Sequence, residues 1–244
     1  MTFALLFIIP ICYGCIQFLE LSAVLARIAG IRKERVMLGY SIQQSVYMGT
    51  RFFLVAILPL LGLMVDRGIT HYQFEMVAHA SLFLATILGF VAFFLAPKMV
   101  AYYGSVIEGY GTGQTFIRSF FVRPPKKEER ILRSSLFDLL KNPETRKTFM
   151  LSNLVFVIYS TGMFASFYFA LLFFDYRASI SHMSGVVNAF GAVVLTFVVE
   201  PHISKSMDTR DSVATDLIFS LFWGRLFATG VTGQLLLLAL FAAA

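Results

Sequence analysis

Arg51 sits in the middle of "VYMGTRFFLVAILP", residues 46–59, with apolar residues on almost every side. It lies 16 residues beyond Arg35 and 15 before Asp66. On a helix rising ~1.5 Å per residue, that is roughly 22 Å from either charged end, near the centre of a bilayer. A snorkelling side chain reaches less far. Arginine keeps its charge at such depth, and placing it there costs at least about 2.5 kcal/mol. The residue therefore requires a wet cavity, a carboxylate or an anionic ligand. Guanidinium pairs in bidentate fashion with carboxylate and phosphate oxygens, so the chemistry it offers is recognition of an anion.

Its helical neighbours extend the pattern. Tyr40, Gln44, Tyr47 and Arg51 follow one another at +4, +3 and +4, within an arc of about 60°. They make a polar stripe that climbs from one end of the segment to mid-membrane. Tyr13, Gln17, Glu20 and Arg27 make a matching stripe in the preceding segment. Segments joined by a tight turn are expected to be neighbours, so the two stripes should meet. Further on, Ser181, Ser184, Gly185, Asn188 and Ala192 share a small, polar face leading to Glu200-Pro201. Arg225 shares a face with Thr229 and Thr232, while Asp216, nine residues earlier, points the other way. Arg225 is thus a second deep cation whose partner must come from another segment. A plainer account stands beside the functional one: Gly and Ser faces often serve close helix packing, and an Arg–Glu pair can be purely architectural.

The elements that must position these residues follow from composition. Of 244 residues, 58% are hydrophobic, 16% aromatic and only 14% charged, with mean hydropathy +0.76. A soluble domain carries roughly 25% charge, and this chain cannot cover a water-facing surface. The apolar runs are continuous, which favours helices over the alternating ~10-residue strands of a membrane barrel. The expected fold is an all-α polytopic transmembrane bundle forming one membrane domain, 1–244. It has about six spans, near 3–27, 36–65, 76–100, 149–174, 180–200 and 213–240. The first run has no basic n-region and no small-residue cleavage site, so it reads as a span and not as a signal peptide. Cys12 and Cys15 form a C-x-x-C pattern inside that run and read as packing residues.

Positive charge orients the bundle. Arg27, Arg32, Lys33 and Arg35 surround the first connection, and nine Lys or Arg lie between Arg118 and Lys147 in the long third one. The second and fourth connections carry Arg67 and Arg177 alone. The odd-numbered connections are expected on the cytoplasmic side, with both termini outside. The net charge of +6 is a consequence of this distribution and does not signal nucleic-acid binding. Within the 103–148 loop, "KKEERILRSSLFDLLKN" places Leu132, Leu136, Leu139 and Leu140 at helical spacing between Pro124-Pro125 and Pro143, as in an amphipathic helix lying on the inner membrane surface. No His/Cys/Asp/Glu cluster has metal spacing, and no phosphate-binding loop or nucleophile motif occurs, so neither a cofactor nor an enzyme is nominated.

Several short segments together resemble a known family. "LELSAVLARIAGIRKERV" followed by "GTRF", then "SGVVNAFGAVVLTFVVEP" and "WGRLFATGVTGQLL", are similar to the Amj-type lipid II flippases over residues 17–53 and 160–235. Glu200 stands where that pattern expects Asp, Phe52-Phe53 follow the Thr-Arg pair where polar residues are expected, and the central loop has no counterpart. Carried over by position, the resemblance points to Glu20, Arg27, Arg32, Arg51, Asn188, Glu200 and Arg225. It implies inward-to-outward transfer of undecaprenyl-diphosphate-linked peptidoglycan precursor across the bacterial cytoplasmic membrane. The expected partners are that polyprenyl-diphosphate lipid and the phospholipid bilayer, with room for contact with cell-wall synthesis proteins.

The expected substrate-binding set is Arg51, Arg225, Glu20, Arg27, Gln44, Tyr47, Asn188 and Glu200. Arg51 and Arg225 would contact the diphosphate, Glu20 would hold an arginine until the ligand arrives, and Arg32 and Arg35 would gather the anion at entry. Two other classes remain open on the residues alone: a secondary transporter for a small anion or ion, and a non-transporting membrane scaffold whose polar stripes face a partner helix.

Overall fold

The computed structural model describes residues 2–122, 134–209 and 212–243. All regular structure among these residues is helical. Helices α1 (Thr2–Arg32) and α2 (Val36–Asp66) are each 31 residues long, enough to cross a bilayer with tilt. They are followed by α3 (His71–Phe94), α4 (Ala96–Gly111) and the short α5 (Phe116–Ser119) and α6 (Leu136–Lys141). Next come α7 (Pro143–Leu172), α8 (Arg177–Val194) and α9 (Glu200–Asp208), and then α10 (Ala214–Phe227) and α11 (Gly233–Ala243). A π-helical turn, Leu195–Val199, joins α8 to α9, and a second, Ala228–Thr232, joins α10 to α11. Counting these as continuous, six helices are long and apolar enough to span a membrane.

Local chemistry sets the ends. Thr70 and Gln73 form a capping box that starts α3. Asn142 caps α7 through Glu144 N–H, and Pro143 occupies the first turn, where its missing N–H costs nothing. The expected third span, 76–100, is divided: α3 stops at Phe94 and α4 restarts at Ala96. Pro97 cannot supply an N–H to a continuous ladder. Much of the expected 103–148 loop is therefore helical, because α4 runs to Gly111 and α7 begins at Pro143. In the amphipathic segment, Pro124, Pro125 and Leu132 lie outside the described residues. The remainder forms α6, where Leu139 is buried in the bundle and Phe137 is exposed. Beside it, the Asp138 carboxylate is held below the usual range by hydrogen bonds from Lys141 and Ser135. Cys12 and Cys15 are free thiols, the first half-buried and the second exposed.

Helix α1 packs along α2, α3 and α4, and α7 packs along α8 and α10. At the α1–α2 crossing, a Cβ on Gly39 would lie 2.6 Å from the Ala26 carbonyl oxygen and 2.8 Å from Gly30 Cα, so only glycine permits the approach. Buried apolar residues fall into two clusters. One, with Leu25, Ile42, Val100, Ile218 and Phe222, fills the end of the bundle that carries the basic connections. The other, with Ile9, Leu61, Phe74, Phe164 and Leu237, fills the opposite end. Between them, at the middle of the long helices, lies a layer of polar side chains.

Candidate functional site

That middle layer encloses a cavity of about 430 Å³, walled by α1, α2, α7, α8 and α10. Its polar groups include Tyr13, Gln17 and Glu20 from α1, Tyr47 and Arg51 from α2, Asn188 from α8 and Arg225 from α10. The two stripes expected on α1 and α2 meet here in part, through Tyr13, Gln17 and Glu20 of the first and Tyr47 and Arg51 of the second; Arg27, Tyr40 and Gln44 lie outside the cavity.

Arg225 is 3% exposed and paired through Nε and Nη2. Its Nη2 pairs with Glu20 Oε2. Its Nε and Nη2 donate to Gln17 Oε1 at 2.9 and 2.6 Å, and the guanidinium lies over the Phe156 ring, 4.6 Å from its centroid. The other Glu20 oxygen accepts a hydrogen bond from the Thr50 hydroxyl at 2.7 Å. The acid that balances the deep charge thus serves Arg225 and leaves Arg51 without it. Arg51 is exposed on the cavity wall and has no hydrogen bond or ion pair with any described residue. Two further groups of the wall, Tyr47 Oη and Asn188 Oδ1, are buried without a hydrogen-bond partner among the described residues.

The cavity opens sideways. Helix α8 packs on α7 and does not pack along α2, although both α2 and α8 wall the cavity. On this side Arg51, Val55, Gly185 and Ala189 line the cavity yet are exposed, and a Cβ added at Gly185 would touch nothing. At the end opposite the basic connections, Arg177 Nε reaches Asp66 Oδ1 at 2.8 Å, linking the start of α8 to the end of α2.

The remaining expected residues lie elsewhere. Arg27, 0% exposed, donates through Nη2 to Glu200 Oε2 at 2.6 Å and through Nε to Gln43 Oε1, with its guanidinium over the Tyr40 ring at 5.0 Å. This pair is displaced from the cavity toward the basic end, and neither residue lines it. Gln44 does not line the cavity either. Its neighbour Gln43 is the buried polar residue on that turn, and it belongs to the Arg27 group. Arg32 and Arg35 sit at the α1–α2 turn, outside the cavity. Ser184, Gly185 and Ala192 do line it. Thr229 does so too and accepts a hydrogen bond from Thr86 at 3.2 Å. Thr232 leaves the face it was expected to share with Arg225 and bonds Asn153 of α7. The intervening π turn adds residues per turn and shifts the helical phase.

Gln17, Thr50, Gln43 and Tyr159 complete the picture. Gln17 was visible in the α1 stripe. Thr50 and Gln43 were missed because each lies one position off the α2 stripe, on the side turned toward α1. Tyr159 was missed because nothing in the α7 sequence sets its lining face apart.

The arrangement offers the Arg51 guanidinium and the Tyr47 phenol to an anionic, oxygen-rich guest, with the Asn188 amide for its hydroxyl groups. No curated protein matches the chain, and no solved structure does. A family model described as Amj, Alternate to MurJ, matches residues 13–244, including the central segment that the short motifs left out. With the match running over nearly its whole length, the chain belongs to the Amj family.

Proposed function

We propose that the chain is a lipid flippase that moves polyprenyl-diphosphate-linked peptidoglycan precursor from the inner to the outer leaflet of the bacterial cytoplasmic membrane. The observation that carries this reading is Arg51: a guanidinium midway along its helix, with no hydrogen bond or ion pair to any described residue, on the open side of a polar cavity. A charge at that depth is costly unless an anion meets it. The family's description as an alternate to MurJ supports the same reading.

The ligand's parts divide over the molecule by their chemistry. The diphosphate contacts Arg51, with Arg225, Glu20 and Tyr47 beside it. Asn188 meets a sugar hydroxyl or amide. The apolar tail leaves through the gap between α2 and α8, where Val55 is 63% exposed. A volume of about 430 Å³ is that of a single small-ligand site. It suits the diphosphate and the adjoining sugar, with the rest of the head in the transport path. A cavity for a soluble anion gains nothing from an opening toward lipid, and this disfavours a small-anion transporter. By the positive-inside rule the basic end is cytoplasmic, both termini are outside, and Arg32 and Arg35 stand where the substrate enters. Transport would follow rearrangement of the bundle around the site, so that the cavity opens alternately to each face.

The test is cellular. In bacteria depleted of their other lipid II flippase, this chain sustains wall growth and exposes the precursor on the outer leaflet, whereas Arg51→Ala at equal protein level does not. No exposure with the unaltered chain, or full exposure with Arg51→Ala, overturns the reading.

A further inference from the structure

The cavity and the ligand assigned to it differ in charge. Arg51 and Arg225 supply two positive charges and Glu20 one negative, so the wall is net +1. The other groups facing Glu20 stay neutral near pH 7: Tyr13 and Gln17 on α1, Tyr47 and Thr50 on α2, and Tyr159 on α7. Helix α8 adds Ser184 and Asn188, and α3 adds only Thr86 beside Thr229, none of which ionises. A diphosphate diester carries two negative charges. Its entry would leave one uncompensated charge at membrane depth, an expensive state.

The contacts show which member of the pair can yield. Arg225 keeps its position without Glu20, because Gln17 accepts from both its Nε and its Nη2 and Phe156 lies against its face. Glu20 is held by less: Thr50, its other partner, also reaches the Tyr47 carbonyl at 2.9 Å. The Glu20 side chain is 17% exposed against 4% for Arg225, so it is the carboxylate that faces the opening.

We propose that Glu20 takes up one proton when a diphosphate lipid binds. The carboxylate becomes a carboxylic acid, its ion pair with Arg225 is given up, and Arg225 turns its charge to the ligand. The wall then carries +2 against −2. The proton comes from solvent and returns to it when the ligand leaves, and no other bond changes. This inference rests on the flippase reading and adds a selection rule. A lipid with a singly charged phosphodiester matches the cavity as it stands and binds without a proton, while a diphosphate lipid binds with one. Glu20 is thereby the residue that fits one site to the diphosphate class.

The experiment measures affinity against pH for the full chain in nanodiscs. One probe is polyprenyl-diphosphate-N-acetylglucosamine and the other is a polyprenyl-monophosphate-linked sugar, both diesters whose phosphates do not titrate between about pH 5.5 and 8. The diphosphate lipid's Kd should rise with pH across this range, by up to about tenfold per pH unit for the uptake of one proton. The monophosphate lipid's Kd should stay flat, Glu20→Gln should abolish the diphosphate slope, and Glu20→Asp should retain it. A flat diphosphate profile in the unaltered chain overturns the inference, as does a slope that survives in Glu20→Gln, while the flippase reading stands in both cases. If neither lipid binds, or if Arg51→Ala binds both as the unaltered chain does, the flippase reading fails and the inference falls with it.

Discussion

One face of α1 carries two glutamate–arginine pairs, seven residues apart along the helix and opposite in polarity. Glu20 reaches across to Arg225, and Arg27 reaches across to Glu200. The first lies between the two apolar cores on the wall of a cavity, with a further cation, Arg51, beside it. The second is set into packed surroundings, with Gln43 and the Tyr40 ring close around it and the Gly30–Gly39 crossing nearby. Its charges balance one to one. The cavity has two cations for one acid. Buried charge by itself therefore does not mark a site. Room beside the pair and an excess of one sign do, because they leave an attraction that only a ligand satisfies. Each arginine or glutamate that answers α1 adjoins a π turn, Leu195–Val199 before Glu200 and Ala228–Thr232 after Arg225. Such turns recur at functional positions in helices and offer places where a register can shift.

The strongest way to break this contrast is to remove the charges of each pair. Arg27→Ala leaves Glu200, whose side chain is 14% exposed, without its cation, a loss of up to about 3–5 kcal/mol. It should appear as a collapse in the yield of folded protein by size-exclusion chromatography. The double variant Arg27→Met/Glu200→Leu should restore folding and keep transport. The matching change at the cavity, Arg225→Met/Glu20→Leu, should fold and fail to transport. Transport by the second double variant, or its loss in the first, would reverse the roles assigned to the pairs.

Gly39→Ala should come next. Its Cβ would meet the Ala26 carbonyl and Gly30 Cα, backbone atoms that cannot swing aside. Overpacking of this kind costs about 1–3 kcal/mol, measured as a lowered thermal midpoint in detergent. Thr50→Val keeps the shape of the side chain and deletes the hydrogen bond to Glu20. A bond to a charged group is worth about 1.5–3 kcal/mol at most. The expected result is slower transport with a folded protein, whereas an unaltered rate would remove Thr50 from the site. The smallest effect belongs to the clasp between α2 and α8. Asp66 and Arg177 are 57% and 42% exposed, and such pairs contribute about 0–1 kcal/mol. Asp66→Asn should leave the thermal midpoint nearly unchanged, and a large fall would show that the open side of the cavity depends on this link.

Much of the site could be read from the chain because helical spacing and the cost of intramembrane charge are local rules. They put Glu20, Tyr47, Arg51, Asn188 and Arg225 on inward faces, and the structure brings these into one cavity. Pairing is another matter, because it depends on where helices distant in sequence come to lie. Nothing in "GTRF" states that Arg51 lacks a carboxylate, or that Glu20 turns to a residue 205 positions away. Two further misses have named causes. The π turn after Arg225 rotates Thr232 toward Asn153, and a period of 3.6 does not foresee it. Pro97 divides the expected third span, which turns part of the anticipated loop into α4.

The central claim is that the cation without a partner is the one that grips the substrate. Its most direct test is flipping of a fluorescent polyprenyl-diphosphate disaccharide lipid in proteoliposomes, with the unaltered chain compared with Arg51→Ala at matched protein content and matched thermal midpoint. Because Arg51 leaves no protein group unpaired when it is removed, the variant should keep its stability and lose at least about tenfold in rate, the equivalent of about 1.4 kcal/mol. Arg51→Lys, which keeps the charge and loses the bidentate fork, should fall between the two. An Arg51→Ala protein that flips the lipid at the unaltered rate would contradict the account.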